Sequence, residues 1–199
     1  MDGYEACLKA FNDPEMCMFG FRVVQLAEAL RLEECLDRHK PQKCLDRCLK
    51  NCRGENCREL CLNAMDAAAA KGIARRLVQD AAAVASETGL TVPEAAALGF
   101  RMLLDEPSGD CTARIISMRV LGLVAMELRN LLGTQDMLLL LAPAIATAHE
   151  CIGDEAFDLL DMIAPTIGRN MAERIAAALE EGAVKIGQVE IRFPPAKPA

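Results

Sequence analysis

The chain has 199 residues, enough for one sizeable domain or two small ones, and just over half of them are apolar. Its net charge of -7 argues against binding of nucleic acid or anionic membranes by the surface as a whole. Alanine and leucine are abundant, whereas the chain contains no Trp and one Tyr. This composition favours helices that bury a core of their own.

The first strong helix signal is Asp13-Pro14-Glu15, which combines a capping residue, a proline at the first helical position and an acidic first turn. We expect this helix to continue to about Arg38, because Pro41 cannot extend it. A short helix from about Gln42 to Cys52 follows, and Gly54 suits the turn after it.

A long alanine-rich helix is predicted to begin at Asn56, which forms a capping pair with Glu59, and to end near Gly89. The stretch Thr91-Val92-Pro93-Glu94 is a second capping signature. It predicts a helix that stops before Pro107.

The next part of the chain is the most apolar. Residues 107–110 predict a turn, from which Asp110 caps a helix over 111–132. A helix over 134–151 follows, with a predicted kink at Pro143. Its uncharged apolar stretch of about 12 residues is too short to span a bilayer, for which roughly 20 are needed. We expect these two helices to form a central hairpin that is covered on most sides.

A further helix is predicted after Asp154, and Pro165 should kink or end it. Asn170 with Glu173 predicts a third capped helix start. Residues 188–193, QVEIRF, are the only stretch typical of extended structure. The last helix carries an apolar stripe at steps of three to four residues, formed by Met171, Ile175, Leu179 and Gly182.

The fold class that these elements predict is all-α, an antiparallel helical bundle or array of about eight or nine helices. We expect a single domain over residues 1–190 and a loose C-terminal tail over 191–199. The alternative is a subdivision near 88–92, with cysteine-rich hairpins over 1–88 and an apolar bundle over 92–190.

The ten cysteines can be paired by testing midpoints against the predicted turns. In an antiparallel hairpin, residues equidistant from the turn lie opposite each other, and a disulfide needs Cα atoms within about 7 Å. Five pairs use every cysteine once and have midpoints on or near turns: Cys7–Cys17, Cys35–Cys44, Cys48–Cys61, Cys52–Cys57 and Cys111–Cys151. A competing scheme, Cys44–Cys61 with Cys48–Cys57, leaves Cys35 and Cys52 unpaired and ranks second.

Residues 48–61 contain two Cys-x3-Cys pairs, and each pair lies on one helix face. The spacing resembles the twin Cys-x3-Cys hairpins of small mitochondrial intermembrane-space chaperones, and helical Cys-x3-Cys pairs are similar to those of copper-storage bundles. The resemblance to the chaperones covers only residues 48–61 and implies no function for this chain. If the cysteines form disulfides, no cofactor is expected. The alternative is a site for Zn, Cu(I) or an iron–sulfur cluster, with thiolate ligands from Cys48, Cys52, Cys57 and Cys61.

Charge is concentrated between Arg38 and Arg58, where seven lysines and arginines face two acidic residues, a local +5 against -12 for the rest of the chain. This stretch predicts either a solvated helix face or a basic patch for a phosphate backbone or an acidic partner. It contains no aromatic residue, so base stacking is not supported. The seven residues are Arg38, Lys40, Lys43, Arg47, Lys50, Arg53 and Arg58.

No catalytic constellation is recognisable, since the chain lacks a Walker loop, Gly-x-Gly-x-x-Gly, Gly-x-Ser-x-Gly, Cys-x-x-Cys and His-Glu-x-x-His. The leading interpretation is a non-enzymatic scaffold or interaction protein, self-associating or bound to a protein partner and stabilised by disulfides. The alternatives are a metal-binding protein and an adaptor that uses the basic patch. Disulfides inside cells are usual in hyperthermophiles, and the N-terminus lacks a signal-peptide pattern. We therefore predict a hyperthermophile cytoplasm, with a mature secreted chain as the alternative.

Overall fold

The computed structural model describes residues 3–105 and 110–197. These residues are predominantly helical with disulfides, which confirms the all-α class, and they also form one small antiparallel sheet. Most of the turn predicted at 107–110 lies outside the described residues. The α-helices are α1 Gly3–Phe11, α2 Pro14–Ala29, α3 Leu32–Arg38, α4 Pro41–Asn51, α5 Cys57–Thr88, α6 Val92–Leu104, α7 Cys111–Leu132, α8 Leu141–Ile152, α9 Glu155–Ile167 and α10 Arg169–Glu181.

The chain divides into two compact units, which we call unit 1 (Met1–Gly72) and unit 2 (Ile73–Ala199). The division falls inside the uninterrupted helix α5, before the punctuation at 88–92. A single folding domain over 1–190 stays a prediction.

In unit 1 the helix predicted to run to Arg38 is interrupted, which is a correction. The α2 helix ends at Ala29, and Arg31 takes a left-handed conformation with φ +49°. Leu32 and Cys35, directly after the break, are buried. The break changes the direction of the chain and lets α3 bury a second short apolar face, which would point elsewhere if α2 continued without interruption.

Cysteines make up an unusual share of the core of unit 1. Cys35, Cys44, Cys48 and Cys61 lie in one buried cluster with aliphatic side chains from α2, α3 and α5. Because each cysteine is small and nearly inaccessible, this core depends on cross-links as well as on apolar volume. The aliphatic members include Val23, Leu32, Leu60, Ala64 and Met65.

In unit 2 two predicted caps are confirmed. The Thr91 hydroxyl accepts a hydrogen bond from the backbone N–H of Glu94 at 3.3 Å, and the Glu94 carboxylate accepts from the backbone N–H of Thr91 at 2.8 Å. Asp110 accepts from the backbone N–H of Ala113 at 2.9 Å, and Gly133 ends α7 with φ +68°. These local bonds set where α6 and α7 begin, and where α7 ends.

The apolar segment after α7 differs from the single helix predicted over 134–151. It begins as a 3-10 helix at Gln135–Leu140 and continues as α8. Pro143 is the third residue of α8, where its missing N–H needs no partner. Residues 137–146 are all buried, as expected for a covered helix.

The start of α10 also differs from the predicted start at Asn170. The helix begins at Arg169, after Gly168 with φ +88°, so Asn170 lies inside the first turn and is not the cap. Glu173 instead pairs with Arg169 at 2.8 Å between Nε and Oε1. The glycine provides the sharp entry into the helix without a capping side chain. The predicted apolar stripe is confirmed by the burial of Met171, Ile175 and Leu179.

The sheet pairs β1 Ala183–Ile186 with β2 Val189–Arg192 in antiparallel register. The sequence predicted an extended segment at β2 but missed β1. The tail predicted as loose from residue 191 differs as well, since Ile191 is a buried residue of β2. Beyond it the backbone N–H of Ala196 donates to the carbonyl of Leu179 at 2.9 Å, and Ala196 is buried. Within the described ranges, no helix is long and apolar enough to cross a membrane.

Candidate interaction surface

The structure joins the ten cysteines in five disulfides, the same pairs whose midpoints fall on predicted turns. Their Cα–Cα distances lie within the usual range for disulfides. Four bridges belong to unit 1 and one to unit 2. The bridges and Cα–Cα distances are Cys7–Cys17 at 5.6 Å, Cys35–Cys44 at 5.9 Å, Cys48–Cys61 at 5.8 Å, Cys52–Cys57 at 5.7 Å and Cys111–Cys151 at 5.5 Å.

Three of these bridges attach α4 to the helices that precede and follow it in the chain. Cys44 joins it to α3, whereas Cys48, and Cys52 directly after its last residue, join it to α5. The three cysteines follow one another at steps of four residues and therefore share one helix face. Because Cys44 and Cys48 are fully buried, this face points into unit 1 and the remaining surface of α4 points outward.

The outward surface of α4 is basic. Lys43, Arg47 and Lys50 occupy positions i, i+4 and i+7, and all three are exposed. At 1.5 Å of rise per residue, they extend over about 10 Å of the helix. Further exposed cations lie before and after α4 in the chain. We call the whole set the basic surface: Arg38, Lys40, Lys43, Arg47, Lys50, Arg53 and Arg58.

No internal ion pair neutralises the basic surface within the described ranges, since none of its seven cations forms a salt bridge there. Lys43 Nζ has a neighbour in His39 Nδ1 at 3.5 Å, which carries no negative charge. Asp46, the one acid on α4, accepts from the amide of Gln42 at 2.7 Å instead of from a cation. The positive charge is therefore available to a partner.

Two depressions adjoin the basic surface. One, of about 160 Å³, brings Arg38 of α3 close to Arg47 of α4, with His39 beside them. The other, which we call the cleft, has a volume of about 240 Å³. It is lined by Arg22, Gln25, Leu26, Ala29, Asn51, Cys52, Arg53 and Leu60.

Arg22 is also part of this site, although the sequence did not indicate it. Its guanidinium donates to the backbone carbonyl of Arg53 at 3.4 Å, across 31 positions of the chain. No local pattern marks Arg22, because its place depends on how α2 packs against α4 and α5.

The alternative metal site has no free thiolates in this oxidised form. Cys48, Cys52, Cys57 and Cys61 are each bonded to another cysteine, so binding a metal would first require two bridges to be reduced. In the part of the chain that the structure describes, no group of three or more His, Cys, Asp or Glu side chains is placed to hold a metal ion.

Among the residues of unit 2 that the structure describes, one carboxylate is buried, that of Glu94. The backbone N–H groups of Thr91 and of Gln188, the latter at 2.9 Å, hold the pKa of Glu94 below its usual value, against a smaller opposing effect of burial. One oxygen is bound to the start of α6 and the other to the turn between the strands. We therefore assign Glu94 the structural role of joining the sheet to α6.

Together the fold and the surface define a disulfide-rich, all-α protein with a basic face on unit 1. No known protein family, curated protein or solved structure gives a significant match to the chain.

Proposed function

We propose that the chain is a non-enzymatic interaction protein that uses the basic surface of unit 1 to bind an acidic segment of a partner protein. The carrying observation is the set of seven exposed cations that lack salt bridges within the described residues. Three disulfides hold their backbone in place, which lowers the entropy cost of binding. Complementary charge then favours the rate and specificity of association.

An acidic protein segment suits the surface better than nucleic acid. The stretch from Arg38 to Arg58 contains no aromatic side chain on which a base could stack. The rest of the chain carries -12, which would repel a long polyanion beyond the patch. Nucleic-acid binding is therefore the alternative that an experiment should test.

The finer architecture that we propose is an array of antiparallel helical hairpins. It is supported by packing between helices that are neighbours in the chain: α1 with α2, α3 with α4, α7 with α8, α8 with α9 and α9 with α10. Bridges between residues that lie about equally far from a turn also favour antiparallel pairs.

We further propose that the bridges are closed in the cell, in the cytoplasm of a hyperthermophile, or alternatively in a secreted mature chain. Five disulfides suit either setting and are unusual elsewhere.

Charge reversal tests the proposed function. The variant Lys43→Glu/Arg47→Glu/Lys50→Glu should bind fluorescein-labelled poly-glutamate about tenfold more weakly than wild type, or worse, because three favourable contacts become repulsive. Its matched control is Lys9→Glu/Lys71→Glu/Lys197→Glu, which changes the net charge equally at exposed cations outside the basic surface. Wild type and control should both bind, and less tightly as salt increases.

Equal binding by wild type and the α4 variant, measured by fluorescence anisotropy, would contradict the proposal. A second titration with single-stranded DNA of similar total charge separates the two partner classes. Binding of DNA but not of poly-glutamate, lost in the α4 variant, would make nucleic acid the partner instead. Far-UV circular dichroism checks that all variants are folded.

A further inference from the structure

We propose that the Cys52–Cys57 disulfide is a thiol–disulfide exchange site for anionic thiols, and that it opens while the neighbouring Cys48–Cys61 bridge stays closed. This inference goes beyond the proposed binding function and does not depend on it.

Accessibility separates the five bridges. In Cys35–Cys44 and Cys48–Cys61 both cysteines are at most 5% exposed, and in Cys7–Cys17 this is true of Cys17. Cys52 and Cys57 are both partly exposed, and in the Cys111–Cys151 bridge neither cysteine is buried. Because a thiolate must reach sulfur to attack it, these two bridges, in which neither cysteine is buried, are the most accessible to exchange, whereas Cys7–Cys17 offers only the partly exposed Cys7.

The cleft distinguishes Cys52 from the other accessible cysteines. Cys52 forms part of its wall, together with Arg22 and Arg53. A volume of about 240 Å³ admits a small thiol or the side chain of a cysteine with its neighbours. The two guanidinium groups favour an incoming molecule that carries negative charge, including the attacking thiolate itself.

Cys57 is placed to leave. It is the first residue of α5, a helix of 32 residues, and the partial positive charge of a helix N-terminus stabilises a thiolate. A sulfur that is stable as a thiolate leaves faster in exchange. The cleft and the helix N-terminus therefore favour the same reaction, in which the incoming thiolate bonds to Cys52 and Cys57 is released.

The accessible bridge of unit 2 provides a comparison within the molecule. Cys111 is likewise the first residue of a helix, α7. There the carboxylate of Asp110 already binds the helix N-terminus through Ala113, and its negative charge opposes a second anion. At α5 the residue before Cys57 is a neutral asparagine, and the acid of the first turn, Glu59, is exposed to solvent, which screens its charge.

The buried bridge next to the exchange site keeps the reduced form in register. Cys48 precedes Cys52 by one helical turn, and Cys61 follows Cys57 by one turn. The Cys48–Cys61 bridge therefore holds α4 against α5 after the outer bond opens. Since Cys52 and Cys57 are separated by only 5 positions, opening releases little chain, and the two thiols stay close enough to reoxidise.

The reaction balances as two exchanges. An incoming thiolate attacks Sγ of Cys52 and forms a new S–S bond, while the Cys52–Cys57 bond breaks and its electron pair leaves on Cys57, which takes a proton from water. A second thiolate of the incoming molecule, or of another copy of it, then attacks the incoming sulfur and releases Cys52. Two external thiols are thereby oxidised to a disulfide, and Cys52 and Cys57 become two thiols.

The test uses the folded full-length chain with reduced glutathione, which is anionic, and cysteamine, which is cationic, at equal thiolate concentrations. After acid quenching and alkylation, peptide mass spectrometry measures the opening of each bridge. Cys52–Cys57 should open about tenfold faster than Cys111–Cys151. Glutathione should react faster than cysteamine, and the trapped mixed disulfide should be on Cys52.

A variant isolates the role of the cleft. In Arg22→Gln/Arg53→Gln the preference for glutathione over cysteamine should disappear, whereas the control Lys9→Gln/Lys71→Gln should retain it. A preference that survives the loss of both arginines would refute the anionic specificity. Three results would overturn the exchange site: Cys111–Cys151 opens as fast, all bridges open together as after unfolding, or Cys52 and Cys57 are free thiols in the purified protein.

Discussion

Removal of the Cys111–Cys151 bridge should lower the free energy of unfolding by about 4 kcal/mol in the variant Cys111→Ser/Cys151→Ser. The bridge closes a loop with a sequence separation of 40, the longest of the five. Chain-entropy theory gives a cost of 2.1 + 1.5R ln n in cal/mol/K, which is about 13 cal/mol/K for this loop, or about 4 kcal/mol at 25 °C. Neither cysteine is buried, so serine leaves no cavity in the core and the loop term dominates.

The matched comparison is Cys52→Ser/Cys57→Ser, whose cysteines are also not buried. Their separation of 5 gives about 2 kcal/mol from the same relation. This value is an upper bound, because Cys48–Cys61 already constrains the unfolded chain around that loop. The unit 2 variant should therefore lose at least about twice as much stability as the unit 1 variant.

Urea unfolding without reductant measures both losses. Far-UV circular dichroism follows the whole chain, and fluorescence of Tyr4, the one tyrosine, follows unit 1, where its ring packs near that of Phe21 at 6.3 Å between centroids. Intact mass confirms that four bridges remain in each variant. If the unit 2 variant lost no stability, or less than the unit 1 variant, loop closure would not explain how these bridges stabilise the chain.

The remaining predictions concern a carboxylate, a glycine and the thiol count. Because the pKa of Glu94 is lowered in the folded protein, its ionised carboxylate stabilises the fold fully above the ordinary pKa of 4.5, and this stabilisation is lost as pH falls through the pKa of the folded state. The urea concentration at the unfolding midpoint should therefore fall less between pH 6 and pH 3 in Glu94→Gln than in wild type, and an equal fall in both would be the wrong result. Gly187→Ala should cost more than about 1 kcal/mol in urea unfolding, because Gly187 has φ +58° and its new Cβ would overlap Glu94; no loss would contradict that contact. Intact mass without reductant should show ten fewer protons than the reduced chain and no alkylation, whereas four free thiols with one bound zinc would favour the metal alternative.

Features that depend on a few neighbouring residues could be predicted from the sequence. Thr91 and Glu94 form their capping box within one turn, and Asp110 binds a backbone N–H three residues away. The cysteine pairs follow similar logic, since four of the five bridges join residues no more than 13 positions apart. The seven cations were likewise visible in one continuous stretch of sequence.

Features that depend on tertiary packing could not be predicted. The break at Arg31 has no proline or glycine to mark it, because it arises where the chain turns to bury Leu32 and Cys35. The capping pattern at Asn170 was a false signal, since Gly168 had already set the helix entry. Arg22 reaches the cleft only through the packing of α2, and β1 is a four-residue strand that becomes regular only by pairing with β2.

Because disulfides attach α4 to both α3 and α5, the stability of this helix depends little on which side chains it exposes to solvent. A free helix of 11 residues would be marginal in water and would need favourable side chains along its whole length. Here much of that stability comes from the bridges of Cys44, Cys48 and Cys52. Outward side chains such as Lys43 and Arg47 therefore contribute little to the stability of the helix. Substitutions there can change what unit 1 recognises at small cost to the fold, which makes this helix a site where new binding specificities can evolve.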